Sequence, residues 1–145
     1  FVVERLSSTT LDTSGQPRLT LSTDKMWHYP DDDTTHLLNP NLLNFIGGLA
    51  PTEIRARQGL LSSGGEELTL QEEVRILRPG KRPSQDLHFH TEHLRVLTEL
   101  GKAETDFPVL MFDRHNTLNA IGLALDNEAR TVRLLKQVRA VHEQN

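Results

Sequence analysis

The segment EELTLQEEVRIL, residues 66–77, constrains the fold more than any other stretch of the chain. Leu68, Leu70, Val74 and Ile76 share one parity, and the residues between them are mostly charged or polar. A helix would scatter these side chains around its circumference, whereas a strand sends alternate residues to opposite faces. The pattern predicts a strand with one dry and one wet face. The same period recurs in RLTLSTDKMWHY through Leu19 and Leu21, and in TVRLLKQVRAV through Val132, Leu134, Val138 and Ala140. Turn-rich pieces separate such runs: TSGQP, YPDDD, SSGG, RPGKRP and LDNEA. Short strands at this spacing predict an all-β sandwich, jelly roll or barrel.

Two segments compete as helices. HLLNPNLLNFI carries Pro40 in its middle, which argues against a long helix. ARTVRLLKQVRAVHEQN is built of good helix formers, but it takes part in an internal repeat and is read as a strand. GLLSSGGEELTLQEEVRI from Gly59 parallels GLALDNEARTVRLLKQVRA from Gly122. Both open Gly-Leu, cross a polar turn and then alternate. Leu68, Leu70, Glu72, Val74 and Ile76 match Val132, Leu134, Lys136, Val138 and Ala140. Each copy is expected to be a β-hairpin with its apolar side chains on one face. Units of this kind stack to bury a continuous dry seam.

A chain of 145 residues is long enough for one domain with a real core, here residues 1–145. The net charge is −4, and the sixteen Lys and Arg are scattered, so nothing points to a nucleic-acid surface. Without cysteine there are no disulfides and no thiol catalysis. No apolar run approaches the roughly 20 residues that span a bilayer. The chain opens Phe1-Val2-Val3 rather than with Met, so a signal or anchor is expected upstream.

HFHTEH, residues 88–93, gathers three of the seven histidines. Leu87 and Phe89 lie on one parity and His88 and His90 on the other, while Leu94 and Val96 resume on the opposite parity from Phe89. A bulge within Thr91-Glu92-His93 is therefore expected, with His88 and His90 on the wet face. The rival reading is a metal-dependent jelly-roll enzyme. An i, i+2 His pair can hold Zn²⁺ or Fe²⁺, with Glu92 or a distant His as third ligand. It would need the His face inside, and the other strands supply a core without it.

Other chemistry is sparse. Asp31-Asp32-Asp33 lacks the spacing of a calcium loop. Gly47-Gly48 and Gly64-Gly65 are followed by no Lys-Ser/Thr and are read as turn glycines. No nucleophile elbow and no convincing carboxylate pair is present. No catalytic residue, metal ligand or cofactor is assigned. What remains is an apolar interior able to hold acyl chains, and strand edges able to accept a partner's strand.

The ordered segments LDTSGQPRLTLSTDKMWHYPDDDTTHLLNPNL, IRARQGLLSSGGEELTLQEEVRI, LHFHTEHLRVLTELGKAETDFPVLM and AIGLALDNEARTVRLLKQVRAV together resemble the periplasmic domain of the LptC family. The resemblance runs from about Leu11 to Val141. It departs where the family's hairpin often carries Gly and this chain has Glu72 and Lys136. It implies a twisted, incompletely closed β-jelly roll of antiparallel strands, similar to LptA, with an inner-membrane anchor helix upstream and the domain in the periplasm of a Gram-negative bacterium. It implies a non-enzymatic, cofactor-free role: lipopolysaccharide arrives from the ATP-driven LptB-LptF-LptG transporter and passes to LptA. The groove lining implied is Leu19, Ile54, Leu68, Leu70, Val74, Ile76 and Met111, continued by Ile121, Leu123, Leu125, Val132, Leu134 and Val138. The last strand, with Arg133, Leu135, Gln137, Arg139 and Val141 along it, is the expected LptA-docking edge. The first strand, about Val2 to Leu11, and the anchor would face the transporter. A homodimer stays open, as does a structural adaptor that never touches lipid.

Overall fold

The computed structural model describes residues 2–11, 13–45 and 49–141. The Gly47–Gly48 turn expected from sequence lies outside them. Eleven strands form one antiparallel sheet: β1 (Val2–Leu11), β2 (Pro17–Tyr29), β3 (Thr34–Leu38), β4 (Asn41–Asn44), β5 (Thr52–Arg55), β6 (Gln58–Leu61), β7 (Glu67–Arg78), β8 (Leu87–Leu97), β9 (Lys102–Phe112), β10 (Thr117–Asp126) and β11 (Thr131–Ala140). Among the described residues the one helical element is a single 3₁₀ turn at Pro83–Gln85.

Two pairs of short strands are each one strand broken in the middle. β3 and β4 both pair with β2, on either side of Asn39-Pro40. β5 and β6 both pair with β7, on either side of Ala56-Arg57. The segment HLLNPNLLNFI is thus two strands meeting at Pro40, which has no N–H to give to a ladder. From β7 onward each strand pairs with the next in sequence, as far as β11.

A crease runs through the sheet from β3–β4 to β11 where these breaks line up. Asn39 has φ 51° and its N–H donates to the Arg57 carbonyl at 2.8 Å. The Arg57 N–H donates in turn to the Glu72 carbonyl at 3.0 Å. Glu72 and Glu73, with φ of 66° and 50°, form the bulge of β7, and the register shifts between Gln71 and Val74. The shift continues between His90 and Arg95 in β8, and at Gly122 (φ 87°) in β10. It reaches β11 at Gln137, φ 50°. Bulges add residues to one strand of a pair, so the ladder bends and twists more strongly. A row of them folds one sheet over on itself.

The fold encloses one apolar cluster. Its centre is Leu68, Leu70, Val74 and Ile76 of β7 with Phe89 and Leu94 of β8, each at most 1% exposed. Across the β7 bulge Glu72 and Glu73 oppose the single Glu92, and the buried positions of β7 are even-numbered on both arms. In β8 the buried set changes from Phe89 and Thr91 to Leu94 and Val96, and the change falls within Thr91-Glu92-His93 as the alternation predicts. Each of these buried side chains contributes roughly 1.5–3 kcal/mol of transfer free energy.

Candidate functional site

The sheet does not close. β1 pairs only with β2, and β11 only with β10, so each carries one unpaired flank and no ladder joins them. The apolar side chains that are only partly buried gather near these ends: Leu19, Leu21 and Met26 on β2, and Val132 and Leu134 on β11. Leu61, Leu87 and Met111 complete the set. The central side chains of β7 and β8, Leu68, Leu70, Val74, Ile76, Phe89 and Leu94, have paired strands on both sides and are sealed. Val132 and Leu134 lie on the edge strand β11, paired on one flank only, whereas Leu19, Leu21 and Met26 lie on β2, next to the edge strand β1.

Of the thirteen lining residues expected from sequence, Ile54, Leu68, Leu70, Val74, Ile76, Leu123 and Leu125 sit in the cluster at 0–7% exposure. Leu19, Met111, Val132 and Leu134 pack against it while partly exposed. The structure does not bring the other two into the cluster. Ile121, beside the bend at Gly122, borders an open depression of about 470 Å³ shared with Arg75, His90, Leu110 and Arg139. Val138 lies beyond the Gln137 bend on the free edge and is 49% exposed. Leu21, Met26, Leu61 and Leu87 of the rim were not singled out from sequence. Leu21 shares the parity of Leu19, and Leu87 that of Phe89, so both were legible. Met26 has the opposite parity to Leu19 and Leu21, so the alternation of the first half of β2 did not point to it.

The edge residues Arg133, Leu135, Gln137, Arg139 and Val141 are all exposed. Leu135 lies over Gly122, where an added Cβ would come within 2.9 Å of Leu135 Cδ1. Glycine at position 122 thus serves both a positive φ and a close approach between strands.

The histidines lie on the face opposite the cluster. His88 stacks on Phe112 with ring centroids 4.8 Å apart, and His90 meets the same ring edge-on at 5.0 Å. Both are half-buried rather than freely wetted, because Phe112 covers them. Burial pushes the His90 pKa below the usual histidine value, and the charges of Arg75, His88 and Arg55 push it further. Among the described residues no three His, Cys, Asp or Glu side chains gather as metal ligands. The Arg95 guanidinium pairs with Glu104 and, at 3.7 Å, with Glu67, which ties β7, β8 and β9 together on the wet face.

An antiparallel sheet, creased along its middle and left open between its first and last strands, is the architecture that a family comparison must account for. The chain matches, over residues 1–143, the family model described as lipopolysaccharide-assembly, LptC-related. The chain belongs to the LptC family. This LptC-family domain is a component of lipopolysaccharide transport, and its fold is the incompletely closed β-jelly roll. Among solved structures it is similar to the crystal structure of LptH from Pseudomonas aeruginosa, described as the LptA-homologous periplasmic component of the lipopolysaccharide transport device. The TM-score is 0.62 at 8% identity, covering 87% of this chain and 95% of that one, a likeness of fold alone. A search of curated proteins finds no match. Membership of the LptC family places the domain among inner-membrane-associated periplasmic components. No helix among the described residues is long and apolar enough to cross a membrane.

Proposed function

We propose that this domain takes lipopolysaccharide acyl chains into the seam left open between the β1–β2 end and the β11 end of the sheet and relays them, without catalysis or cofactor, from the LptB-LptF-LptG transporter to LptA. The observation that carries this reading is the gradient of burial across one apolar cluster. Side chains at the centre are sealed, while Leu19, Leu21, Met26, Val132 and Leu134 beside the unpaired strands remain partly exposed. Fatty chains gain by area-proportional burial against such a rim. The sealed part of the expected lining, from Leu68 to Ile76, is reached only as the two layers of the creased sheet part.

The edges carry the partners. β11 offers unpaired backbone groups along Arg133, Leu135, Gln137, Arg139 and Val141, the geometry for strand addition by LptA. β1 offers the other free flank, towards the transporter and an anchor helix upstream. A photoreactive residue at position 134 should crosslink to lipopolysaccharide in cells, and one at position 133, on the opposite face of β11, should not. Equal crosslinking from both positions would refute the seam. Truncation before Arg133 should abolish LptA capture; capture at the wild-type level would refute the edge assignment.

A further inference from the structure

Arg78 continues the dry face of β7 two residues beyond Ile76. It is 8% exposed, and its Nε, buried, has no hydrogen-bond partner. A guanidinium does not lose its proton in a protein, so this is a buried positive charge. Burial, and then the charge of Arg130, hold its pKa below the usual arginine value. No carboxylate among the described residues forms an ion pair with it. Buried charges are ordinarily paired, because leaving one uncompensated is strongly destabilising. The groups beside Arg78 make matters worse rather than better: Lys102 borders the same small cavity and Arg130 adds a like charge.

That cavity, about 20 Å³, lies at one end of the interior. Its wall is apolar on one side, with Ile54 and Leu125 of the central cluster, and polar on the other. There Thr52 Oγ1 donates to Asn127 Oδ1 at 3.1 Å, with both residues buried. The space suits about one water. A group larger than water would reach Arg78 only if the layers parted at this end.

We infer that Arg78, assisted by Lys102 and Arg130, binds a phosphate group of the amphiphile whose chains enter the seam, an inference that rests on the lipid reading above. A phosphate supplies several acceptor oxygens and matches the planar fork of a guanidinium. Two cations line the cavity, and the charge of Arg130 adds to theirs, a balance that selects an anion. The apolar wall of Ile54 and Leu125 selects an anion that carries hydrocarbon.

The test compares lipid A with its fully dephosphorylated form on the wild-type domain, R78Q and R78K, with inorganic phosphate as a separate titrant. The wild type should prefer the phosphorylated lipid by about tenfold or more, the scale of a charged hydrogen bond. R78Q should lose that preference while keeping its affinity for the dephosphorylated lipid, and R78K should keep part of it. Free R78Q should melt at or above the wild-type midpoint, since it removes an unpaired buried charge. An unchanged preference in R78Q overturns the inference, and so does a lowered midpoint in the free variant, which would mark a structural role. If inorganic phosphate raises the wild-type midpoint but both lipids bind alike, the ligand is a free anion and the headgroup assignment falls. If the wild type binds neither lipid, the seam reading itself falls.

Discussion

The two Gly-Leu hairpins share an apolar pattern and live in different surroundings. In β6–β7, Leu68, Leu70, Val74 and Ile76 are at most 1% exposed. In β10–β11, Val132 and Leu134 are partly buried and Val138 is 49% exposed. β7 has paired strands on both flanks, whereas β11 has one. The second strands bend differently as well: Glu72 and Glu73 take positive φ within β7, and Gln137 alone does so within β11. An alternating sequence chooses which side chains face inward. How deeply they are buried depends on what lies beside the strand.

The sharpest way to break this comparison is a matched truncation. Leu70→Ala should cost about 2–5 kcal/mol by leaving a cavity in a sealed core, and Leu134→Ala about 1 kcal/mol, because the rim can relax. Equal shifts in urea midpoint would mean the second hairpin is as buried as the first. Next in size is Gly122→Ala, expected to cost about 1–2 kcal/mol in backbone strain alone, with Leu135 displaced in addition. Gly15→Ala carries the same strain in open space, since no atom lies within 4 Å of its added Cβ, so it separates strain from the clash.

A smaller effect of opposite sign concerns the bends. Glu72→Gly and Gln137→Gly should each stabilise by up to about 1 kcal/mol, because Gly takes positive φ without a Cβ penalty. Lys136→Gly should not stabilise, since the second bend falls one residue later, at Gln137. A gain at 136 equal to that at 137 would move the bend. The smallest effect is a pH slope. The folded His90 pKa lies below its ordinary 6.5, so as pH falls through that value the unfolded chain takes up the proton first and stability drops. His90→Gln should therefore lose less stability than the wild type between pH 7 and pH 5; parallel losses would show that His90 is not desolvated.

Much of this architecture was legible in the residues. The alternation of Leu68, Leu70, Val74 and Ile76 marked a strand, and the parity change after Phe89 located a bulge to within Thr91-Glu92-His93. The repeat of the Gly-Leu hairpin chose a strand for residues 131–140 against good helix propensity. The misplacements have a common physical cause. Ile121 and Val138 follow their neighbours in parity, but the bends at Gly122 and Gln137 lie between them and the cluster. Positive φ at Gln137 leaves no trace in a pattern of polar and apolar letters, because glutamine is an ordinary strand-face residue.

Arg78 shows the same limit from the other side. Its parity with Ile76 placed it inward, yet alternation alone ranks an arginine at a strand end as solvated.

By itself, the order of apolar and polar residues determined that the chain is all-β and most of the side chains that share its dry face, because side-chain direction in a strand is a local property of the backbone. The tertiary structure alone decided which of them are sealed, which border an opening, and that one cation is shut in with no counter-ion among the described residues. Those outcomes depend on which strands become neighbours when the crease folds the sheet over, and residues far apart in the chain set them together.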